Sequence, residues 1–409
     1  MTDTTIPEVY KSDHLFLLVG MNPLPNYVAV QLMAADGATL YLLHSKTTFD
    51  IAQRLKASIE AARSSFQVIP REINETDGQQ IERQVRAILN GVSPKPAPYS
   101  VGLNYTGGTK PMAVHSYRVI KQAFPLGIFS YLDAGSLRMF IAKGDEPTQS
   151  PIVGAEVTLG LEELMKLHGY KLAKPPAKAG RNADLSHMIA LVHSTPDSFK
   201  QWRNWIMLPD STSKLSSLLE YPALASVWQF FQSICGGSEP TESKVAQALG
   251  ASDFKGLSKY FIAEWLEEYA LEGIGLFAEE IGINHYGMNL LLRQGSSHDF
   301  ELDVAAMYGY QLFAISCTAT EEVDKREEAT KPGRAKEHLM EAFVRARQLG
   351  GDEARYGVVS CVQNPAALQR EIEQQWDAEG KVWVFGMYDL PYLAERLKLW
   401  FTTANKERR

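Results

Sequence analysis

Leu103-Asn104-Tyr105-Thr106-Gly107-Gly108-Thr109-Lys110-Pro111-Met112 runs an apolar strand into two glycines flanked by threonines and a lysine, and then into a helix. Such a turn suits phosphate. Residues without a β-carbon let backbone N–H groups approach an anion, the helix start adds its positive dipole end, and Thr106, Thr109 and Lys110 supply hydroxyls and a charge. A nucleoside-triphosphate P-loop needs wider glycine spacing and a hydroxyl residue directly after its lysine. Pro111 stands there instead, and the dinucleotide pattern of three spaced glycines is absent. Taken by itself, the motif also reads as a plain tight connection between strand and helix.

Outward from this turn, residues 14–142 alternate strand-like and helix-like patterns, the signature of a parallel sheet flanked by helices. Strands are expected at Leu15 to Gly20, Leu40 to His44, Phe66 to Ile69 and Ser100 to Asn104, with a closing hairpin from Gly127 to Ile141. The pattern predicts a Rossmann-like α/β domain, in which ligands sit beyond the carboxyl ends of the strands. Three polar turns fall at that edge: one with Asn22 and Pro23, one with Ser45, Lys46 and Thr48, and Thr106 to Lys110. Each also has a structural reading, as a turn or a helix cap.

At 409 residues the chain suits two domains or three, and 45% hydrophobic with 22% charged residues describes a folded protein. A net charge of -7 argues against nucleic acid coating the whole surface, though not against a local basic groove. No apolar run reaches the roughly 18 residues that span a bilayer, and Met1 to Pro7 lacks a signal-peptide plan, so a cytoplasmic protein without membrane partners is expected. Cys235, Cys317 and Cys361 are far apart and are expected as buried free thiols. Lys174 to Gly180 has linker composition, and a helical region follows from Leu185 to Ile234. Thr241 to Gly250 reads either as the start of a helix-turn-helix or as an ordinary helical turn.

The last third predicts a helix carrying Trp265, strands at Asn289 to Arg293, Phe300 to Tyr308 and Tyr310 to Cys317, a helix from Arg334 to Leu349, and further β-α-β structure from Tyr356 to Met387. Glu301 and Asp303 lie two apart on a strand and share a face. With Glu267 on the helix nearby they suit a hard divalent cation, Mg2+ or Mn2+, that polarises a phosphate and activates water; an exposed polar strand face is the competing reading. Arg345 and Arg347 read as contacts to a nucleic acid backbone or as partners of nearby acids.

Residues 10–142 resemble a CARF domain, the cyclic oligoadenylate sensor of type III CRISPR defence, through Asn22-Pro23-Leu24-Pro25 and Thr106 to Lys110. The carboxyl third is similar to a PD-(D/E)XK nuclease through Trp265-Leu266-Glu267, Glu301-Leu302-Asp303-Val304 and Leu312 to Thr318. The resemblance implies a CARF sensor at 10–142, a linker and helical connector at 143–254, and a restriction-endonuclease-like α/β domain at 255–409. It further implies a homodimer that binds one cyclic tetra-adenylate between its sensor domains and then cuts nucleic acid, as single-stranded RNA or DNA or by nicking duplex DNA, in a metal-dependent reaction. Ring contacts fall on Asn22, Pro23, Ser45, Lys46, Thr48 and Thr106 to Lys110, metal ligands on Glu267 and Asp303. One departure is evident: where this nuclease family ends its third strand in Glu-x-Lys, the chain has Ser316 and Thr318. Two accounts follow. Either Glu267 and Lys336 replace the missing carboxylate and cation, with Lys325 and Lys331 as further candidates, or the nuclease fold is an inactive scaffold and the protein is a sensor acting through DNA or protein binding. A third alternative is a ring nuclease acting in the sensor pocket through Lys46 or Lys110.

Overall fold

The computed structural model describes residues 6–92, 100–208, 214–294, 299–319, 334–376 and 378–405, with backbone alone at 299 and 334–339. The first sheet comprises β1 (Ser12–Leu18), β2 (Ala34–His44), β3 (Gln67–Glu72), β4 (Val101–Asn104), β5 (Ile128–Asp133) and β6 (Arg138–Lys143), in the order β3-β2-β1-β4-β5-β6. Five strands run parallel and β6 closes the edge as the antiparallel arm of the expected hairpin. Both faces are covered: β1 is buried except at Asp13, and β2 is buried from Ala38 to His44, as parallel strands between helix layers must be. The chain order reverses between β1 and β4, which opens a crevice at their carboxyl ends.

Helix Leu24–Met33 between β1 and β2 leaves no amphipathic signature in the sequence. Nine of its ten residues are buried, so it has no polar stripe to betray its period. The other covering helices, Phe49–Ala62, Gly78–Asn90 and Lys110–Ala123, keep the spacing that the sequence shows.

The second sheet is mixed: β7 (Lys171–Leu172), β8 (Ile283–Arg293), β9 (Asp299–Tyr308), β10 (Gln311–Thr318), β11 (Arg355–Ser360) and β12 (Val382–Phe385), in the order β12-β11-β10-β9-β8-β7. β7 to β10 pair antiparallel and β10 to β12 parallel. Helices Trp265–Gly275, Arg334–Gly350, Pro365–Trp376 and Leu393–Thr403 accompany it.

The segment with linker composition is more ordered than its prolines suggest. Lys171 and Leu172 add an edge strand to β8, and Ala177 exchanges two backbone hydrogen bonds with Met288, each 3.0 Å. Helix Leu161–His168 is buried along one side against both halves. One apolar cluster runs from Leu17 and Val28 to Met307, Leu312 and Val358, so the two sheets share a core. A second cluster gathers Trp202, Trp205, Phe261 and Trp265 from the intervening helices. Val245 and Leu249 enter it, which makes Glu242–Ala248 a packed helical turn rather than an exposed reading head. Cys317 and Cys361 are buried free thiols as expected, whereas Cys235 is only half-buried.

Candidate functional site

At the crevice, the turns after β1 and β4 touch. A β-carbon on Gly107 would lie 2.2 Å from the Leu18 carbonyl oxygen and 3.0 Å from the Gly20 nitrogen. Gly108 has φ +73°, in the left-handed region that favours glycine. The double glycine therefore has two separate reasons: close backbone approach and backbone hand. Beneath Gly107 lies fully buried Asn26, whose Nδ2 donates to the Leu18 carbonyl at 3.0 Å; its Oδ1 meets no donor among the described residues. A polar floor of this kind suits a polar ligand.

The third turn joins through Glu75, a residue the sequence reading missed. The Thr47 hydroxyl donates to Glu75 Oε2 at 3.1 Å, and the Thr109 hydroxyl donates to the Glu75 carbonyl at 2.5 Å. Ser45 and Thr48 are buried, with the Ser45 N–H donating to Thr48 Oγ1 at 3.0 Å. Pro23 is likewise buried and opens helix Leu24–Met33. These three shape the turns from below, while Lys46, Lys110 and Met21 are exposed at the rim. Thr106 accepts the Leu132 N–H at 2.7 Å, and Thr109 also accepts from Met112 as a helix cap. The threonine hydroxyls thus serve the scaffold, and the glycine N–H groups, the helix start and the lysines remain as the groups chemically suited to an anion.

Asn22 has an unexpected neighbour. Its Oδ1 caps Leu24 N–H at 3.0 Å, and its Nδ2 donates to Glu353 Oε2 at 3.0 Å, across 331 residues of chain. Glu353 is buried and precedes β11; its carbonyl accepts from Gln311 at 2.7 Å and from Arg355 at 2.8 Å. Arg355 and Gln311 both bond Asn405, and Arg355 also donates to the Gly135 carbonyl at 3.3 Å. The amino ends of β10 and β11 are therefore tied by a buried polar cluster to the turn after β1.

The amino-terminal half of β9 and the carboxyl end of β10 border a cavity of about 210 Å³ lined by Glu267, Glu301, Asp303, Ser316, Glu341 and Arg345 among others. Asp303 Oδ2 accepts the Ser316 hydroxyl at 3.0 Å and the Cys317 N–H at 2.7 Å. Ser316, standing where a carboxylate was expected, is thus a donor to Asp303. Glu267 enters from helix Trp265–Gly275, and burial, followed by the charges of Asp303 and Glu301, pushes its carboxyl up to about 8. Its neighbour Glu268 is structural: it is buried and accepts the Arg181 and Asn182 N–H groups at 2.7 and 2.5 Å.

Among the described residues no group of three His, Cys, Asp or Glu side chains forms a ready metal cage. Glu267, Glu301 and Asp303 still suit a hard cation that keeps waters and a substrate phosphate as its other ligands, as magnesium does. Three carboxylates facing one cavity repel one another, and a cation relieves that repulsion. Lys336 is on helix Arg334–Gly350, but its side chain lies outside the described residues, as do Lys325 and Lys331. Glu341 and Arg345, an ion pair one turn apart on that helix, take the wall facing Asp303. Arg347 pairs with Asp352 at 3.0 Å, which accords with the plainer of its two readings.

A pH effect follows. Glu353 is pushed up to about 7 by burial, against opposing hydrogen bonds from its own backbone and from Asn22, with Asp352 adding a smaller upward push. Glu267 and Glu353 both hold a proton more tightly folded than unfolded. Their contribution to stability is complete below the ordinary carboxyl range, falls progressively as pH rises above that range, and is fully lost beyond about 7 for Glu353 and about 8 for Glu267. Thermal unfolding of the metal-free protein should fall in Tm over that window, and Glu267→Gln should flatten the upper part; an unchanged slope in that variant contradicts the assignment.

No protein-family model matches the chain, and no curated protein matches it. Among solved structures, the fold is that of Can2 from Sulfobacillus thermosulfidooxidans, determined in complex with cyclic tetra-adenylate: TM-score 0.66 at 17% identity, covering 95% of this chain and 99% of that one. Protein VC1899 from Vibrio cholerae is similar over 96% of this chain and 99% of its own, with TM-score 0.62 and 15% identity. The likeness embraces both sheets and the helices between them. No helix among the described residues is long and apolar enough to cross a membrane.

Proposed function

We propose that the chain is a type III CRISPR effector that binds cyclic tetra-adenylate between two sensor domains and thereby activates metal-dependent cleavage of nucleic acid. The observation that carries this reading is the Asn22–Glu353 hydrogen bond, which connects an anion-suited crevice to the domain holding the carboxylate cavity, in a fold shared end to end with a protein solved with that ring. Lys46, Lys110 and the Gly107-Gly108 backbone hold ring phosphates; Glu267 and Asp303, with Glu301 beside them, hold Mg2+ or Mn2+. The metal supplies charge neutralisation at the phosphate and a more acidic water.

A ring with repeating phosphates calls for a two-fold pocket, and the surface beside the crevice suits a second copy. Val114, Tyr117, Tyr131 and Phe140 are exposed on one side of the first sheet, with Tyr105 stacked on Tyr131 at 5.8 Å between ring centroids. Tyr131 and Phe140 are directly paired across β5 and β6, so the patch is continuous. Ring binding at the turn after β1 competes for or reorients Asn22 and so biases the packing of β10 and β11, and the far end of β10 borders the cavity.

Two outcomes separate this reading from its alternative. Purified protein with manganese and labelled RNA and DNA should cut only when cyclic tetra-adenylate is present. Ring binding without cutting under any metal supports the second reading, an inactive sensor, which the serine and threonine at positions 316 and 318 favour. For the coupling itself, Asn22→Ala should keep cleavage competence but lose about 5–150-fold of the ring's stimulation. Full stimulation in that variant removes Asn22 from the relay.

A further inference from the structure

We infer that Arg345 is the residue that meets the scissile phosphate, in place of the cation that β10 lacks; this rests on the nuclease reading. The cavity walls bear Glu267, Glu301, Asp303 and Glu341, and a phosphodiester brings more negative charge. Among the described lining residues, Arg345 is the one cation. It is also held in place. Its Nη1 donates to the Glu301 carbonyl at 2.9 Å, its Nη2 pairs with Glu341, and its guanidinium lies 5.4 Å from the Phe300 ring centroid. Glu301 and Phe300 belong to the same strand as Asp303, so the arginine is fixed relative to the carboxylates by β9 itself. The side chain is 27% exposed, leaving part of the fork open.

A guanidinium has five N–H donors in a planar fork, and the two contacts above leave donors for the non-bridging oxygens of a phosphate. Glu341 is more exposed, at 51%, and sits one helical turn before Arg345, so it can yield its place to an arriving phosphate without moving the arginine's other anchors. Hydrolysis forms one P–O bond to a water oxygen and breaks the bond to the leaving sugar oxygen. The attacking water gives its proton to a carboxylate of the cavity, and the leaving oxygen takes one from water. Arg345 neither gains nor loses a proton; it offsets the charge that builds on the phosphoryl oxygens, where fixed donors act most strongly.

The test uses the full-length protein with cyclic tetra-adenylate present. Anisotropy of a labelled single-stranded oligonucleotide in EDTA, across a salt series, reads phosphate contacts without turnover. Arg345→Met should flatten the slope of log affinity against log salt by about 0.7, the loss of one contact. In manganese it should lower kcat by about 10²–10³-fold. Arg345→Lys should restore the slope and part of kcat, with Tm and ring affinity unchanged in both. An unchanged slope and kcat in Arg345→Met overturns the inference, as does an equal loss in both variants accompanied by lower Tm, which marks a purely structural anchor. Absence of cutting by the wild type bears on the nuclease reading alone, because the salt slope still reports Arg345.

Discussion

Asp303→Asn is expected to abolish ring-stimulated cleavage, by about 10²–10³-fold or more, while leaving ring affinity unchanged. The variant keeps the shape of the side chain, and its amide oxygen still accepts from the Ser316 hydroxyl and the Cys317 N–H. What it removes is charge. A neutral residue at the cavity floor is a poor ligand for a divalent cation, and no other described residue replaces it between β9 and β10. A companion effect separates site chemistry from general damage. Asp303 is the largest charge acting on Glu267, so neutralising it should let the Glu267 carboxyl fall toward its ordinary range. Wild-type cutting by Asp303→Asn contradicts the metal assignment.

Lys110→Ala should weaken cyclic tetra-adenylate binding by about 10²-fold or more, since a two-fold pocket loses the lysine twice and each charged contact is worth about 1.5–3 kcal/mol. Lys110 is exposed at the first position of helix Lys110–Ala123, so its removal should leave Tm nearly unchanged. The magnitude rests on the helix start and the lysine acting on one anion. Equilibrium binding of labelled ring to the variant measures it directly, and an affinity within a few-fold of wild type takes Lys110 out of the pocket.

Local features were legible from the chain. The Gly107-Gly108 turn announces itself because close approach at Gly107 and backbone hand at Gly108 are each local constraints, and Glu301 and Asp303 are visible because a strand puts alternate residues on one face. Helix Leu24–Met33 was not legible, because burial on all sides erases the period on which helix reading depends. Nor was the Asn22–Glu353 bond, which joins residues that no local pattern relates. Glu75 was equally hidden; it joins two turns through its carboxylate and its backbone carbonyl, and neither partner is near it in sequence. Arg345 was ambiguous for another reason: paired with Glu341 at one helical turn, it reads as an ordinary surface ion pair until β9 is seen beneath it.

The measurement that bears most directly on the whole account is calorimetry of cyclic tetra-adenylate with the wild-type chain. Saturation at one ring per two chains, with binding at micromolar concentration or tighter, is the predicted result. No heat at those concentrations, or one ring bound per single chain, contradicts it.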